Sequence, residues 1–552
     1  MSDTILEAGL PVTARAPTSI VAWHEGRGIT VAELLGDAQL LSRRLPDRGV
    51  LINLCANRYA FLVGYVACVL RGRPCLLSGD RTWQRSASLL GAYPDSQFLI
   101  DEGTRAPHGP SIDVPVLSGT LADAPASVPA PDQVTTIAFT SGSTGEPVPH
   151  SRSWGSQARQ IDAVSRRFGV TGPTTASIVA TVPHGHMFGF ETTILLPLRA
   201  NVAVHTGTPL YPDDIRRQLE AVPSPRILVT SPVHLRALAN SSAALPPIQK
   251  VISATAPLPV ELASRIELAA STQLHEIYGC TEAGSVAGRR TVEGTLWKPF
   301  EGLVVEASDR SESGTFQVRL PEMRDAVPLH DLLALEPNGA FQLLGRLDDM
   351  IKVGGKRASL AALTSALLAI DGVEDGAFVM PEHADGGSAI RPVALVVAPK
   401  LTPKLVLDGL RRRIDPAFVP RRVVMADALP RDPLGKLPKA RVAVLLDAAS
   451  ADERSVTIDF PADHPALPGH FPERPLIPGV VLLDAIVRNA RAAFELGPLD
   501  GVTQAKFMGP VPPGAVTTVR LRRLPPNRVG FEVRLHGEVI STGELSFRES
   551  AA

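Results

Sequence analysis

The sequence predicts an α/β fold built on a parallel sheet, followed by a smaller α+β domain. The chain of 552 residues has room for three or four domains at roughly 100–200 residues each. Through the first part of the chain, β-branched apolar runs alternate with amphipathic helical patterns, which favours a parallel sheet covered by helices. The last part differs, because one apolar helix precedes three strand-like runs.

The alternation is most regular between residues 178 and 270. The β-branched runs there predict strands, and the amphipathic stretches predict helices. A further strand, Val134–Phe139, follows the Pro- and Ala-rich stretch Ala124–Pro131, whose composition is typical of an exposed connection. The predicted strands of the regular part are Ile178–Val182, Val202–Val204, Ile227–Val229 and Val251–Ile252, and its predicted helices are Asp213–Ala221 and Val260–Ala270.

Two boundaries divide the rest of the chain. The glycine-bearing segment Gly345–Gly355 precedes a helix, Leu360–Ile370, that opens a small unit ending near Leu446. The small and polar residues of Ala448–Arg454 predict a linker. We therefore expect domains at residues 1–345, 346–446 and 455–552. The last of them has a predicted helix at Val480–Phe494 and strands at Thr517–Leu524, Arg528–Leu535 and Glu538–Phe547.

The charge composition argues against nucleic acid as the main partner. Lys and Arg total 55 and Asp and Glu total 56, a formal net charge of −1, whereas proteins that bind polyanions usually carry a basic excess. The cations are unevenly divided, with nine Lys against 46 Arg and no Lys before Lys250. Codon bias in a G+C-rich genome explains this, but chemistry that needs an ammonium must use one of nine positions.

Cysteine usage and hydropathy predict a cytoplasmic protein without a transmembrane segment. The four Cys form no CxxC pair, so neither a zinc ribbon nor a redox motif is indicated, and so few thiols fit a reducing compartment. The N-terminus lacks the basic and then apolar run of a signal peptide. The longest apolar stretch, Tyr59–Leu70, has about twelve residues, short of the roughly 20 that span a bilayer.

A loop rich in Ser, Thr and Gly follows the predicted strand that ends at Phe139. Its glycines let the backbone approach a phosphate, and its hydroxyls and amides donate hydrogen bonds to it. No Gly-Lys-Ser/Thr follows, so it is not a Walker A loop. Alone, such a loop is more often an ordinary turn. The segment is Phe139-Thr140-Ser141-Gly142-Ser143-Thr144-Gly145-Glu146-Pro147.

Five further motifs follow this loop in a fixed order. They are Pro183-His184-Gly185-His186-Met187-Phe188-Gly189, Tyr278-Gly279-Cys280-Thr281-Glu282, His330-Asp331, Gly345-Arg346-Leu347-Asp348-Asp349 and Pro430-Arg431-Asp432-Pro433-Leu434-Gly435-Lys436. With the loop they resemble the adenylate-forming superfamily of acyl- and aryl-CoA ligases, luciferases and peptide-synthetase adenylation domains, over about residues 1–445. The resemblance implies that a carboxylate attacks the α-phosphate of ATP to give an acyl adenylate and pyrophosphate, after which a thiol captures the acyl group.

The resemblance also assigns roles to the matching residues. Glu282 would bind Mg²⁺ and Thr281 would contact the α-phosphate. Asp331 would hold the ribose hydroxyls, because a carboxylate only accepts hydrogen bonds, although a solvated loop acid is the alternative. Lys436 would stabilise the charge that develops during adenylation, and Arg346 would reach the ribose or the phosphate. The other nucleotide-binding residues would be Thr140, Ser141, Gly142, Ser143, Thr144 and Gly145 at the pyrophosphate, together with Tyr278 and Gly279.

The family's small C-terminal subdomain swings between the two half-reactions. Asp348 is the matching hinge, and Lys352, Gly354 and Gly355 would then face the thiol path, where glycines leave room for a phosphopantetheine arm. A plain turn is the alternative for the two glycines. One departure concerns the phosphate loop, which in the family continues Gly-x-Pro-Lys but has Val148 at the Lys position. The local charge then comes from His150, from Arg152 or from neither.

The acid substrate is expected to bind near His186, Phe188 and Gly189, beside Tyr278. A core role is the alternative for His186. The segment Gly345–Gly355 looks closest to the benzoate and hydroxybenzoate ligases of the superfamily. That likeness favours an aryl acid and does not exclude a fatty acid.

The last hundred residues carry a second set of motifs. The run His464-Pro465-Ala466-Leu467-Pro468-Gly469-His470-Phe471-Pro472 leads to Pro478-Gly479-Val480 and then to Asp484, fourteen residues after His470. With Lys506-Phe507 and Pro513-Gly514 these residues resemble the hot-dog 3-hydroxyacyl-[acyl-carrier-protein] dehydratases. The acid is Asp rather than Glu, as in one branch that includes the dehydratases of aryl polyene pigment clusters.

Dehydration requires side chains and amides of the kinds found in these motifs. Elimination of water β to a thioester needs a base at Cα, an acid at the departing hydroxyl and polarisation of the carbonyl. His470 suits the base, Asp484 would hold or protonate the hydroxyl, and the Gly479 amide at a helix N-terminus would polarise the carbonyl. In this family the His and the acid come from different subunits, so the resemblance implies a homodimer.

The sequence therefore predicts a bifunctional enzyme. One half would be an ATP- and Mg²⁺-dependent ligase that transfers an aryl or acyl group to the phosphopantetheine thiol of an acyl carrier protein or CoA. The other half would be a 3-hydroxyacyl thioester dehydratase, and the pairing suggests an aryl polyene or related pathway by analogy. The alternatives are a ligase whose last domain only dimerises or docks, and a hot-dog thioesterase.

Overall fold

The computed structural model describes most of the chain in two compact units. The described residues are 10–79, 82–104, 109–122, 128–140, 148–241, 244–308, 315–320, 326–346, 349–353, 356–381, 391–431, 437–451, 453–467, 475–524 and 527–548. The first unit ends at Leu437 and the second begins at Pro438. The division between them thus falls ahead of the boundary expected near Leu446.

The first unit combines sheets with helices that pack on them. Its strands are β1 (Ile20–His24), β2 (Arg27–Thr30), β3 (Leu51–Asn53), β4 (Cys75–Leu77), β5 (Gln97–Ile100), β6 (Ser111–Asp113), β7 (Val134–Thr140), β8 (Val148–Ser153), β9 (Ala176–Ala180), β10 (Val202–His205), β11 (Arg226–Thr230), β12 (Lys250–Ser253), β13 (Gln273–Cys280), β14 (Gly284–Arg290), β15 (Leu296–Pro299), β16 (Val304–Ala307), β17 (Phe316–Arg319), β18 (Val327–Leu329), β19 (Asp331–Leu335), β20 (Phe341–Arg346), β21 (Met350–Val353), β22 (Lys356–Ser359), β23 (Asp375–Val379), β24 (Val393–Val397) and β25 (Arg422–Met425). Its helices are α1 (Val31–Ser42), α2 (Arg58–Arg71), α3 (Trp83–Ala92), α4 (Trp154–Arg167), α5 (Met187–Phe190), α6 (Leu196–Arg199), α7 (Pro212–Glu220), α8 (Pro232–Asn240), α9 (Val260–Ala270), α10 (Leu360–Leu368) and α11 (Pro403–Arg411), with a π-helical turn at Glu191–Leu195.

Two large sheets dominate this unit. One has the order β19-β20-β15-β14-β13-β12-β11-β9-β10-β1-β2, and the other has the order β6-β5-β3-β4-β7-β8. Strands β1, β10, β9, β11, β12 and β13 run parallel, as do β6, β5, β3, β4 and β7. The predicted parallel α/β fold is therefore confirmed, and the antiparallel strands at the sheet edges are an addition to it.

The predicted elements of the regular part are present with small shifts. Helix α9 spans Val260–Ala270, as predicted, whereas β9 begins and ends two residues before the predicted Ile178–Val182. The apolar stretch Tyr59–Leu70 forms α2, which is buried along nearly its whole length. Within the described ranges, no helix combines the length and apolar character needed to cross a bilayer.

A buried arginine at the start of α2 connects the two large sheets. The Arg58 side chain is fully buried and donates from Nη1 to the carbonyls of His205 at 2.8 Å and Gly207 at 2.6 Å. Its Nη2 donates to the carbonyl of Val182 at 3.1 Å. Since α2 follows β3 of the six-stranded sheet, and β10 ends at His205, this guanidinium ties one sheet to the strand ends of the other.

The small subdomain that follows β20 is held together by its own sheet and hairpin. Strands β21 and β22 pair from Met350–Ser359 to Val353–Lys356, and β23, β24 and β25 form a three-stranded sheet. Its core is formed by side chains from the hairpin, both helices and the central strand. The helix predicted at Leu360–Ile370 is α10, which ends two residues earlier.

Among its described residues, the second unit has two helices and a five-stranded antiparallel sheet, the hot-dog fold that the sequence predicts. Its elements are α12 (Lys439–Ala451), β26 (Glu453–Asp459), α13 (Gly479–Phe494), β27 (Leu499–Phe507), β28 (Val516–Leu524), β29 (Arg528–Leu535) and β30 (Glu538–Phe547), with the sheet order β26-β28-β29-β30-β27. The linker predicted at Ala448–Arg454 is wrong, because the chain is helical through Ala451 and β26 begins at Glu453. Alanine is the strongest helix former, which explains the difference.

We expect the first unit to lose stability as the pH falls from about 6.5 to about 4. Burial lowers the pKa of both His205 and His275 to about 4, and nearby cations add to the effect. In the unfolded chain these residues titrate near 6.5, so between the two values the unfolded state binds more protons. Thermal unfolding followed at pH 7 and pH 5.5 checks this sign.

The variant His275→Asn serves as the comparison, because it removes one of the two groups. It should lose less melting temperature between pH 7 and pH 5.5 than the wild type does. An equal loss in both proteins would show that His275 does not carry the effect.

Candidate functional site

The motif that carries Glu282 forms the turn of a β-hairpin. Strands β13 and β14 pair until Cys280 meets Gly284, and Thr281 and Glu282 lie in the tight connection between them. Gly279 is exposed at the end of β13. The Glu282 side chain is only 15% exposed, and its Oε1 lies 3.9 Å from Nε2 of His150.

A buried polar cluster lies directly beneath this turn. Gln160 donates from Nε2 to the carbonyl of Ala283 at 2.9 Å, and Glu191 accepts from the backbone N–H of Ser285 at 3.0 Å. Arg152 donates to Oε1 of Gln160 at 2.7 Å. We refer to these side chains, Arg152, Gln160, Glu191 and Ser285, as the cluster under the turn, and all of them are buried.

Gly284 makes this convergence possible. It has a φ of +72°, and a Cβ atom there would lie 2.2 Å from Oε1 of Glu191 and 2.9 Å from Nη1 of Arg152. Burial raises the pKa of Glu191 and lowers that of Arg152, and each charge partly offsets the effect on the other. The sequence analysis missed Gln160, Glu191 and Ser285; the signal was the lone Glu191 inside an otherwise apolar helical run.

Two residues from separate motifs, Tyr278 and Asp331, which the sequence predicts to bind the nucleotide, are in direct contact. The Tyr278 hydroxyl donates to Oδ2 of Asp331 at 2.7 Å, and the Tyr278 ring packs against Trp297 and Phe341 at 5.8 and 5.5 Å between centroids. Asp331 begins β19, opposite Arg346 of β20. Because Asp331 is 9% exposed, the alternative of a solvated loop acid is wrong.

The loop that the sequence predicts to bind phosphate lies between β7 and β8 in the chain. Thr140 ends β7 and pairs with Val148 at the start of β8. Ser141, Gly142, Ser143, Thr144 and Gly145 lie outside the described residues. The structure therefore describes the two ends of this loop, Thr140 and Val148.

Of the two residues that could replace the missing ammonium, His150 lies at the surface beside the turn and Arg152 does not. Its Nε2 atom is 3.9 Å from Oε1 of Glu282, and the side chain is 24% exposed. Arg152 belongs instead to the cluster under the turn and is 1% exposed. The structure thus separates the two residues that the sequence left as alternatives.

The three residues expected to bind the acid sit at the start of one helix. His186 precedes α5, with Phe188 and Gly189 within it. The His186 ring packs closely over Gly79, whose missing Cβ would lie 2.2 Å from Nε2. His186 and Phe188 are half-buried, and Gly189 is buried, so the first two keep a face that a substrate could contact.

In the small subdomain an ion-pair network surrounds Asp375. Arg431 donates from Nε and Nη2 to both oxygens of this carboxylate at 2.7 Å, and Nη1 of Arg236 in α8 lies 3.6 Å away. Lys352 is exposed on β21. Asp348, Gly354, Gly355 and Lys436 lie outside the described residues, so the hinge, the glycine turn and the catalytic lysine are expectations from the sequence.

In the second unit the predicted acid and the predicted amide lie on one helix. Gly479 is the first residue of α13, and Asp484 follows on its exposed face, 3.0 Å from Arg488. The Phe507 ring covers Gly479 so closely that a Cβ would lie 3.0 Å from it. His470 lies outside the described residues.

Comparison with known proteins finds a family match in the first part of the chain and another in its last part. The family model of AMP-binding enzymes matches residues 12–307, and the model of the ApeI dehydratase matches residues 447–544. A 4-coumarate–CoA ligase of Rhodobacter capsulatus is 31% identical over 235 residues, 43% of this chain and 58% of the relative. An isonitrile lipopeptide synthase of Streptomyces coeruleorubidus is 26% identical over 480 residues, 77% of this chain and 32% of the relative.

The chain therefore spans less than two thirds of the length of either relative. Among solved structures, ATP-bound MatB from Rhodopseudomonas palustris has a TM-score of 0.65 at 20% identity, over 78% of this chain and 96% of that chain. At that identity the likeness shows the fold alone.

We expect the substitution Gly284→Ala to unfold the turn locally and to destabilise the first unit. The left-handed conformation alone costs an Ala roughly 1–2 kcal/mol, and the new Cβ would overlap Glu191. Thermal unfolding should show a clear fall in melting temperature. The matched control is Gly91→Ala in α3, where a Cβ meets nothing within 4 Å and helix propensity favours Ala by about 0.5–1 kcal/mol. Equal melting temperatures for the two variants would contradict the role of Gly284.

Proposed function

Because the chain belongs to the AMP-binding enzymes and carries an ApeI-like dehydratase domain, we propose that it is a bifunctional acid–thiol ligase and 3-hydroxyacyl thioester dehydratase. The ligase half activates an aryl or acyl acid with ATP and passes it to a phosphopantetheine thiol. The dehydratase half removes water from 3-hydroxyacyl thioesters. The pathway we propose is of the aryl polyene type or a related one.

The contact between Tyr278 and Asp331 is the observation that carries the ligase proposal. It joins two motifs 53 residues apart and leaves an aromatic ring beside a carboxylate, one to stack a base and the other to accept from ribose hydroxyls. Thr281 and Glu282 follow Tyr278 within one turn. The residues proposed for the base, the sugar and the phosphate thus lie close together.

Glu282 fits the Mg²⁺ that such a reaction uses. Mg²⁺ commonly takes one or two protein carboxylates and completes its coordination with phosphate oxygens and water. The partly exposed Glu282 side chain in the hairpin turn offers such a carboxylate. Bound there, the ion would neutralise charge on the phosphates.

The residues of the chain have distinct tasks in the first half-reaction. A carboxylate oxygen of the acid attacks the α-phosphorus, the bond to the bridging oxygen breaks, and pyrophosphate leaves with its electron pair. Lys436 would stabilise the charge on the α-phosphate, and Thr281 would donate to it. In the second half-reaction the thiol sulfur attacks the acyl carbon and AMP departs.

We further propose that the substrate is an aryl acid and that the acceptor is a carrier protein. The matched 4-coumarate–CoA ligase acts on an aryl acid by its name, and the half-buried Phe188 ring offers an apolar contact for such a ring. The lipopeptide synthase match and the attached dehydratase domain both support a carrier protein as acceptor rather than free CoA.

The dehydratase half would work as a homodimer. Asp484 is 61% exposed on α13, and β27 is an edge strand exposed along most of its nine residues, with Val502 and Phe507 among its exposed apolar side chains. Unpaired strand edges with apolar side chains favour pairing with another chain. A second copy pairing there would allow His470 of one subunit to act with Asp484 of the other.

The ligase proposal predicts pyrophosphate release from purified protein given ATP, Mg²⁺ and 4-hydroxybenzoate or an alkanoate. Lys436→Ala should lower the rate by about 10²-fold or more, the usual cost of a lost electrostatic contact to the transition state. Lys439→Ala is the matched control, since this exposed Lys lies three residues further on in α12. Absence of activity with a broad panel of acids would disprove the ligase assignment.

The dehydratase proposal predicts formation of the enoyl product from a 3-hydroxyacyl thioester, followed by absorbance or mass spectrometry. His470→Asn should abolish it and leave pyrophosphate release intact, whereas His536→Asn, in the turn between β29 and β30, should change neither. Equal trace turnover in the wild type and His470→Asn would favour a module that only dimerises or docks. Release of free thiol would instead indicate a thioesterase.

A further inference from the structure

In the family that this loop resembles, the loop is followed by a Lys whose ammonium this chain lacks. The first Lys of the chain is Lys250, and the position after Pro147 is Val148, whose side chain is 47% exposed. A polyphosphate bound next to this position therefore has one donor fewer. Two described residues further along the same strand, His150 and Arg152, are the candidates to replace it.

Strand β8 leads straight out of the loop and presents its side chains on alternating faces. Successive Cβ atoms of a strand point to opposite sides, so Val148, His150 and Arg152 share one face and Ser151 lies on the other. Two residues along a strand advance by about 6.6 Å, roughly the length of an extended side chain. His150 is thus the next position on the face where the ammonium would have stood.

Arg152 cannot serve, although it carries the stronger charge. It is 1% exposed, one guanidinium nitrogen is held by Gln160 at 2.7 Å, and the side chain lies beneath the hairpin turn beside Gly284. His150, by contrast, is a quarter exposed and lies on the same side of the turn as the Glu282 carboxylate.

We propose that the His150 imidazole binds the polyphosphate of ATP, donating a ring N–H to a phosphate oxygen beside Glu282. This inference rests on the proposed ligase function. The 3.9 Å between Nε2 of His150 and Oε1 of Glu282 exceeds a hydrogen bond. A ligand at the Glu282 carboxylate therefore comes within reach of the imidazole. His150 takes the place of the missing ammonium as a binding group and takes part in no covalent step.

The test compares four proteins with the wild type in ATP-dependent pyrophosphate release. His150→Ala should raise the KM for ATP about tenfold, the usual effect of losing one hydrogen bond to a charged group. Adding Val148→Lys to His150→Ala should restore most of that loss, because the ammonium returns to its usual position. Val148→Lys alone should leave the KM unchanged or lower it. Ser151→Ala, on the opposite face of the same strand, should have no effect.

The outcomes separate this inference from the function on which it rests. An inactive wild-type protein with every acid would overturn the ligase proposal itself. An active wild type whose KM is unchanged by His150→Ala overturns the inference. So does a loss in His150→Ala that Val148→Lys fails to restore, since that would mark a structural role. Unchanged melting temperatures of the variants confirm that any change in KM arises at the site.

Discussion

The guanidinium of Arg58 is the constraint on which the arrangement of the first unit depends. It is fully buried and reaches the carbonyl groups of His205, Gly207 and Val182, at the ends of strands in the larger sheet. Burial lowers its pKa to about 10, which still leaves it charged near neutral pH. Removing one partner of such a buried charged network typically costs about 3–5 kcal/mol. α/β proteins bind their ligands at the carboxyl ends of parallel strands. The hydrogen bonds of Arg58 thus fix these strand ends in the larger sheet from helix α2, which follows a strand of the other sheet.

The second level of organisation is the cluster under the turn. Gln160 and Glu191 bind the backbone of residues 283–285 from two different helical segments, so the hairpin that carries Glu282 is fixed before any ligand arrives. The absence of a side chain at Gly284 is what allows the two charges to approach. Preorganised groups need little rearrangement when charge develops in a reaction, so a turn fixed in this way suits the adenylation that we propose for this site.

The sequence predicted the architecture better than the site. Hydrophobic alternation identified the parallel strands and α9, because burial on both faces leaves a strong local pattern. It missed β27, whose exposed side chains follow no such pattern, and it mistook the Ala-rich end of α12 for a linker. Motif order brought Tyr278 and Asp331 to one site. Gln160 and Ser285 carry no local signal, and the charge of Glu191 within an apolar helical run is the one local clue to this cluster. Their importance arises from contacts between residues as much as 125 positions apart.

The two units differ in what they need to be complete. Among the described candidate ligase residues of the first unit, Tyr278 contacts Asp331 and His150 lies beside Glu282, all within one chain. The second unit has its own core, yet Asp484 points to solvent from α13, paired only with the equally exposed Arg488. A carboxylate so exposed keeps its ordinary hydration and gains catalytic character only when another surface excludes water from it. The proposed dehydration therefore depends on association through the second unit, whereas the residues proposed for adenylation belong to one chain.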